Sequence, residues 1–210
     1  MDLAAMREQY GLAGLDESDL AATPMAQFQE WFDAWASTNP FDANLATVAT
    51  VGVDGWPSSR AVLVKGADER GLVFHTNRNS AKGVAIAASG RAALTFVWRE
   101  IERQIRVVGD VEHLPDIESD AYFASRPRGA QIGAWASDQS AVLASRDELE
   151  TRWSETEARF PGSVPRPPHW GGYLIRPRSM EFWQGRPNRL HDRLRYRRRD
   201  DGWIIERLAP

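Results

Sequence analysis

The 210-residue chain contains no cysteine, which excludes disulfides, thiolate nucleophiles and thiolate metal sites. Its four histidines, His75, His113, His169 and His191, are scattered without zinc-like spacing, so a histidine-rich metal centre is not expected. No run of about eighteen apolar residues occurs, and the N-terminus has no basic stretch leading into an apolar one, so neither a membrane span nor a signal peptide is expected. The expected location is therefore cytoplasmic. A net charge of −3 lacks the broad basic excess of a nucleic-acid-binding protein. No Gly-x-Gly-x-x-Gly follows a strand, no Walker loop appears, and no Ser-His-Asp series or differentiated carboxylate pair is present. Any phosphate must be gripped by side chains and single helix ends.

What is present reads as one domain over residues 1–210. Thr23-Pro24 has the cap-then-proline grammar of a helix start, and Met25, Phe28, Phe32 and Trp35 follow at helical spacing as a core stripe. From Leu45 the period becomes two. Strands are predicted over Leu45–Val51, Ser58–Lys65, Leu72–Thr76, Ala92–Trp98 and Arg103–Leu114, with turns at 52–55 and 66–71 and a bulge or close approach at Gly109. Asn79-Ser80 caps a short helix ended by Gly90, Pro115 opens another through Ala124, and the box starting at Ser145 begins a third that runs to about Arg159. After a proline-rich connector at 161–168, strands are predicted over Gly171–Arg176, Ser179–Gln184, Arg189–Arg197 and Trp203–Leu208. Many short turn-linked strands with inserted helices predict a mainly β fold, a closed or nearly closed antiparallel barrel.

Cations are concentrated locally. A strand over 189–197 would place Arg189, His191, Arg193, Arg195 and Arg197 on one face and Leu190, Asp192, Leu194 and Tyr196 on the other. Such a face must meet water or an anion. Beyond Arg193 it reads as a solvated edge strand, whereas Arg189, His191 and Arg193, next to Trp183, suit a flat anionic aromatic guest. Arg60 and Lys65 stand five residues apart, on opposite faces of a regular strand, and should serve different partners unless a bulge intervenes. Ser80 and Lys82 open a helix, where amides, hydroxyl and dipole favour an anion, although an ordinary cap has the same pattern. Tyr122 and Arg126 share a helix face and could offer a phenol and a guanidinium to one guest, although an arginine complementing the helix C-terminal dipole has the same spacing. Gln104, Gln139 and Ser140 are polar groups near apolar stretches that could reach a heterocycle's edge, although ordinary exposed polar residues look the same. Several cationic clusters in a net-acidic chain point to more than one phosphate-bearing ligand.

The segments Arg60 to Lys65, Phe74 to Asn77, Glu102-Arg103-Gln104, Tyr122 to Trp135, Glu181 to Gly185, Arg189-Leu190-His191-Asp192-Arg193 and Arg207-Leu208-Ala209-Pro210 together resemble the pyridoxamine 5′-phosphate oxidase family over nearly the whole chain. The resemblance implies an FMN-binding split β-barrel acting as a homodimer, with flavin at the subunit interface. It implies FMN contacts from Arg60, Ala61, Val62, Leu63, Val64, Lys65, His75, Thr76, Lys82, Gln104, Gln139, Ser140, Trp183 and Arg193. Lys65, Tyr122 and Arg126 would hold the substrate phosphate. Arg189, Leu190 and His191 would meet the pyridine ring, with Arg189 and His191 in catalytic roles, and Arg7 and Tyr10 would belong to an N-terminal lid within residues 1–22. The implied reaction oxidises pyridoxine 5′-phosphate or pyridoxamine 5′-phosphate to pyridoxal 5′-phosphate with dioxygen, giving hydrogen peroxide and, from the amine, ammonia.

Three positions depart from the family pattern. His75 replaces a tyrosine, Ala81 an arginine beside the flavin-phosphate lysine, and Ala130 a serine of the substrate-phosphate site. Losing one charge-assisted contact costs about 1.5 to 3 kcal/mol, so looser binding is expected without loss of activity. Two rivals are a related FMN oxidase of phenazine biosynthesis, which shares the Arg-Leu-His motif, and a carrier that binds FMN or pyridoxal phosphate without turnover.

Overall fold

Helix α1, Pro24–Ala36, starts where the sequence predicts because the Thr23 side chain accepts the Ala26 N–H at 3.2 Å and proline takes the first helical position. In this computed structural model, which describes residues 9–200 and 202–210, the helix buries Met25, Phe28, Trp31 and Trp35 against the main core. Phe32, expected in the stripe, is only partly buried, and Trp31 takes its place by meeting Phe182 edge-on at 5.2 Å.

The strands are β1 Leu45–Val51, β2 Pro57–Asp68, β3 Gly71–Asn77, β4 Arg91–Trp98, β5 Arg103–His113, β6 Trp170–Gln184, β7 Asp192–Arg199 and β8 Gly202–Arg207. All pairings are antiparallel, in the order β3-β2-β1-β4-β5-β6-β7-β8, and a further β3–β6 pairing closes the first six into a barrel. Strand β6 serves two structures. Its first half pairs with β3, its second half with β7, and β5 runs along both, so the sheet splits there.

The sequence predicts two strands where β6 is continuous. The expected break coincides with a register shift: Val108 faces Ser179 and Gly109 faces Pro177, leaving Arg178 as the extra residue. A bulge tolerates a proline that donates no ladder bond, and a Cβ on Gly109 would come within 2.2 Å of the Arg176 carbonyl oxygen. Strand β2 likewise runs on beyond its predicted end at Lys65 to Asp68, inside the expected turn, with a second register shift at Lys65.

Helix α2, Ala81–Ser89, is capped by Ser80 and ended by Gly90 at φ 65°, as predicted. Helices α3, Asp116–Ser125, and α5, Arg146–Arg159, also match their signals. Helix α4, Arg128–Ala136, is not among the predicted helices, the preceding one being expected to end at Ala124; Pro127 stands as its N-cap residue. No described helix is long and apolar enough to cross a membrane.

The predicted cationic strand face is corrected at its start. Pro187–Arg189 form a single 3-10 turn, with Asn188 and Arg189 at φ 57° and 63°, and β7 begins only at Asp192. Arg189 and His191 therefore do not continue the row of Arg193, Arg195 and Arg197. That row does alternate with buried Leu194 and Tyr196, yet it meets carboxylates. Arg193 pairs with Glu181 at 2.8 Å, and Arg195 and Arg197 share Glu206 at 2.6 and 2.9 Å. Mutual repulsion along the strand is relieved by acids on the neighbouring strands.

Candidate functional site

A cleft of about 460 Å³ opens between β2, β3, the start of α2, the end of α3 and α4. At one end Ser80 and the first turn of α2 present the buried Lys82, whose ammonium donates to Thr76 Oγ1 at 3.0 Å, Ser80 Oγ at 3.2 Å and Gln139 Oε1 at 2.8 Å. Ser140 Oγ accepts the Ala81 N–H at 3.2 Å, from a backbone at φ 76°. Burial, with a contribution from the nearby Arg60 charge, pulls the Lys82 pKa down to about 8. A cation held by neutral acceptors in a closed setting is short of negative charge. That donor chemistry fits a phosphate, so the residues present suit the phosphate end of FMN.

At the other end stand Lys65, His75, Tyr122, Arg126 and Trp170. Tyr122 sits on the last turns of α3, but Arg126 follows the helix as its C-cap in extended backbone, so the two do not share a helix face as predicted; both nevertheless line the cleft. The Arg126 guanidinium lies over Trp170 at 4.7 Å, and its Nη1 is buried without a hydrogen-bond partner among the described residues. An unpartnered buried guanidinium nitrogen is costly unless an anion meets it. His75 stacks on Tyr122 and Trp170, and neither ring nitrogen has a partner among the described residues. Burial, then the Arg126 charge, lowers the His75 pKa to about 4, with Glu118 opposing and Lys65 adding the least, so the ring is neutral.

The register shift at Lys65 interrupts the regular alternation that sets Arg60 and Lys65 on opposite faces. Arg60 donates to Thr50 Oγ1 at 2.8 Å and Ser58 Oγ at 2.6 Å, while Ala61, Leu63 and Lys65 line the cleft together with Val62. Val64 turns into the core.

The remaining predicted residues form a second group. Trp183 packs against His191 at 4.6 Å between centroids, and Tyr10 meets both rings edge-on at 5.6 Å. Gln104 is the register partner of Trp183 across β5 and β6, and Arg193 is its partner on β7. The Arg186 N–H donates to His191 Nδ1 at 3.1 Å, which leaves the proton of a neutral ring on Nε2. Partial burial, then the Arg189 charge, lowers the His191 pKa, with Asp192 opposing. Arg189 and Leu190 are exposed beside it. Arg7 lies outside the described residues.

The two groups are far apart within one chain. Thr76, at the cleft, pairs with Gly171 near the start of β6, and Trp183 lies twelve residues further along the same strand. At about 3.3 Å per residue the path along the strand is up to roughly 40 Å, shortened by the bulge at Arg178 and the curvature of the barrel. One small ligand cannot touch both.

Family comparison supplies the context. Residues 34–160 match the model described as pyridoxamine 5′-phosphate oxidase, and residues 170–210 match the pyridoxine 5′-phosphate oxidase C-terminal dimerisation region. The chain belongs to the pyridoxine/pyridoxamine 5′-phosphate oxidase family. Curated relatives of that name include one from Nocardioides sp., 53% identical over 210 residues, covering 100% of this chain and 99% of the relative. Another, from Burkholderia vietnamiensis, is 55% identical over 212 residues, covering 99% of each. Among solved structures, PhzG from Burkholderia lata in complex with tetrahydrophenazine-1-carboxylic acid superposes with a TM-score of 0.90 at 30% identity, over 97% of this chain and all of that one. An FMN-binding, pyridoxamine 5′-phosphate oxidase-related protein from Nostoc punctiforme shares the fold, with a TM-score of 0.71 at 18% identity, over 91% of this chain and all of that one.

Two features of the cleft are invisible in sequence spacing. Trp170, the platform under Arg126 and His75, is the first residue of β6, one position before the predicted strand start, and carries no motif signal of its own. The small residues Ala130, Gly133 and Ala134 of α4 also line the cleft.

Proposed function

We propose that this chain is an FMN-dependent oxidase converting pyridoxine 5′-phosphate and pyridoxamine 5′-phosphate to pyridoxal 5′-phosphate, with dioxygen as the final acceptor and hydrogen peroxide as product. The amine also takes up water and releases ammonia. The observation that carries this reading is the pair of separate cationic niches in one cleft, Lys82 with Thr76 and Gln139 at one end and Arg126 with Lys65 and Tyr122 at the other. Two phosphorylated rings would need two such niches.

FMN, when bound, supplies the two-electron chemistry that no side chain here can perform. The protein's part is alignment. Lys82, Thr76, Gln139 and Ser140 would hold the flavin phosphate, with Ala61 to Lys65 along its length. Arg126, Lys65 and Tyr122 would hold the substrate phosphate. Trp183, Gln104, Arg193, Arg189 and His191 would complete the site from a second copy of the chain, because the groups stand too far apart to meet within one. His191, with its Nε2 proton free to point outward, would orient the 4′ substituent.

The names of the full-length relatives support this substrate, and the dimerisation-region match supports the second copy. The PhzG likeness favours a rival substrate, a carboxylated tricycle without phosphate. The test is to reconstitute the purified protein with FMN, add pyridoxine 5′-phosphate in air and follow pyridoxal 5′-phosphate and peroxide. Turnover of the phosphate ester with both products supports the proposal. A flavin-loaded protein that leaves the ester untouched overturns it.

A further inference from the structure

The segment before α1 is fastened at defined points. Glu102 Oε2 accepts the N–H groups of Gly11 at 2.8 Å and Leu12 at 3.0 Å. Further along, Asp192 Oδ2 accepts the Leu15 N–H at 3.1 Å, and Arg207 binds Asp16 at 3.0 Å and Glu17 at 2.8 Å. The Glu102 contact is the one adjoining Tyr10. Glu102 is itself held in a left-handed backbone at φ 53°, ending the short turn between β4 and β5. Its carbonyl accepts the Gly185 N–H at 2.8 Å and the Gln184 side-chain amide at 3.2 Å. Gly185 in turn makes room for the strap, since a Cβ there would come within 2.8 Å of Tyr10. One residue thus ties the N-terminal strap to the end of β6, from which Trp183 projects.

We infer that Glu102 is a positioning residue: its carboxylate latches the strap at Gly11 and Leu12 so that Tyr10 closes on the Trp183–His191 pair and completes the substrate site. A carboxylate accepting two backbone N–H groups is a strong anchor, and holding the strap in place before binding removes its ordering cost from the binding step. The latch therefore acts on substrate affinity and leaves the chemical step alone. This rests on reading the Tyr10, Trp183 and His191 group as part of the substrate site.

The wild-type rate on pyridoxine 5′-phosphate is measured first. Glu102→Ala should speed hydrogen exchange at the Gly11 and Leu12 amides and raise KM about tenfold, with kcat within about twofold. Glu102→Gln, which keeps an acceptor oxygen, should recover most of the loss. Leu12→Pro removes a donor at an exposed position and should reproduce part of the KM rise with Glu102 intact. Faster exchange with an unchanged KM overturns the inference, as does unchanged exchange in Glu102→Ala. A wild-type protein that does not oxidise the ester sinks the oxidase reading instead. The latch is then decided by calorimetric Kd for pyridoxal 5′-phosphate, where equal values for wild type and Glu102→Ala overturn it.

Discussion

The imidazole of His75 stacks on the phenol of Tyr122 with ring centroids 4.1 Å apart. The stack holds a titratable ring between aromatic neighbours and close to the Arg126 charge, so the folded protein disfavours its protonated form. The folded pKa of about 4 lies below the ordinary value of 6.5. Between these values the unfolded chain binds a proton that the folded one refuses. The stabilising share of neutral His75 is complete above about pH 6.5 and is lost as pH falls towards 4. After allowing for partial exposure this amounts to something on the order of 1 to 2 kcal/mol. Urea unfolding at pH 7.5 and 4.5 should show a smaller acid loss for His75→Phe than for the wild type. Equal losses would show that the ring does not sense its surroundings as described.

Lys82 should be the main electrostatic grip on the flavin phosphate. Replacing it with methionine removes a charge-assisted contact of about 1.5 to 3 kcal/mol, so the FMN Kd should rise about 10- to 100-fold. Flavin fluorescence quenching on titration into apoprotein reads this directly. With its pKa lowered to about 8, free Lys82 loses its charge as pH rises through that value, and wild-type FMN affinity should weaken from pH 8 upward. Lys82→Met should flatten that slope.

Arg126→Ala separates phosphate recognition from ring recognition. KM for pyridoxine 5′-phosphate should rise about 10- to 100-fold, while turnover of unphosphorylated pyridoxine, measured at high concentration, should change less than about threefold. An equal effect on both substrates would place Arg126 outside the phosphate site.

Gly83→Ala tests whether packing or propensity dominates at the start of α2. In a free helix alanine is favoured over glycine by about 1 kcal/mol. Here a Cβ would come within 2.1 Å of the Arg78 carbonyl oxygen. The clash is with backbone, so the substitution should destabilise by about 1 to 3 kcal/mol and lower Tm. A raised Tm would contradict the close approach.

Much of the architecture is legible from local patterns. The Thr23, Ser80 and Ser145 caps and the Gly90 terminus each act within a few residues, so the sequence alone placed three helices. The period-two runs placed most strands for the same reason. Where the reading missed, the missing information was long-range. Pro177 reads as a strand break until it stands opposite the Gly109 bulge, and Arg189 reads as a strand residue until the turn at Asn188 is seen.

Residue type and spacing by themselves determined a succession of antiparallel strands with inserted helices, because caps and period-two runs act within one turn or one strand, and composition alone excluded thiol chemistry. Only the tertiary structure decided that the arginines of β7 face carboxylates, that Trp170 underlies Arg126, and that the cleft and the Trp183 group lie at opposite ends of β6. Those relationships join residues tens of positions apart, and which side chains meet across a closed barrel is set by strand register and closure, quantities that no local pattern encodes.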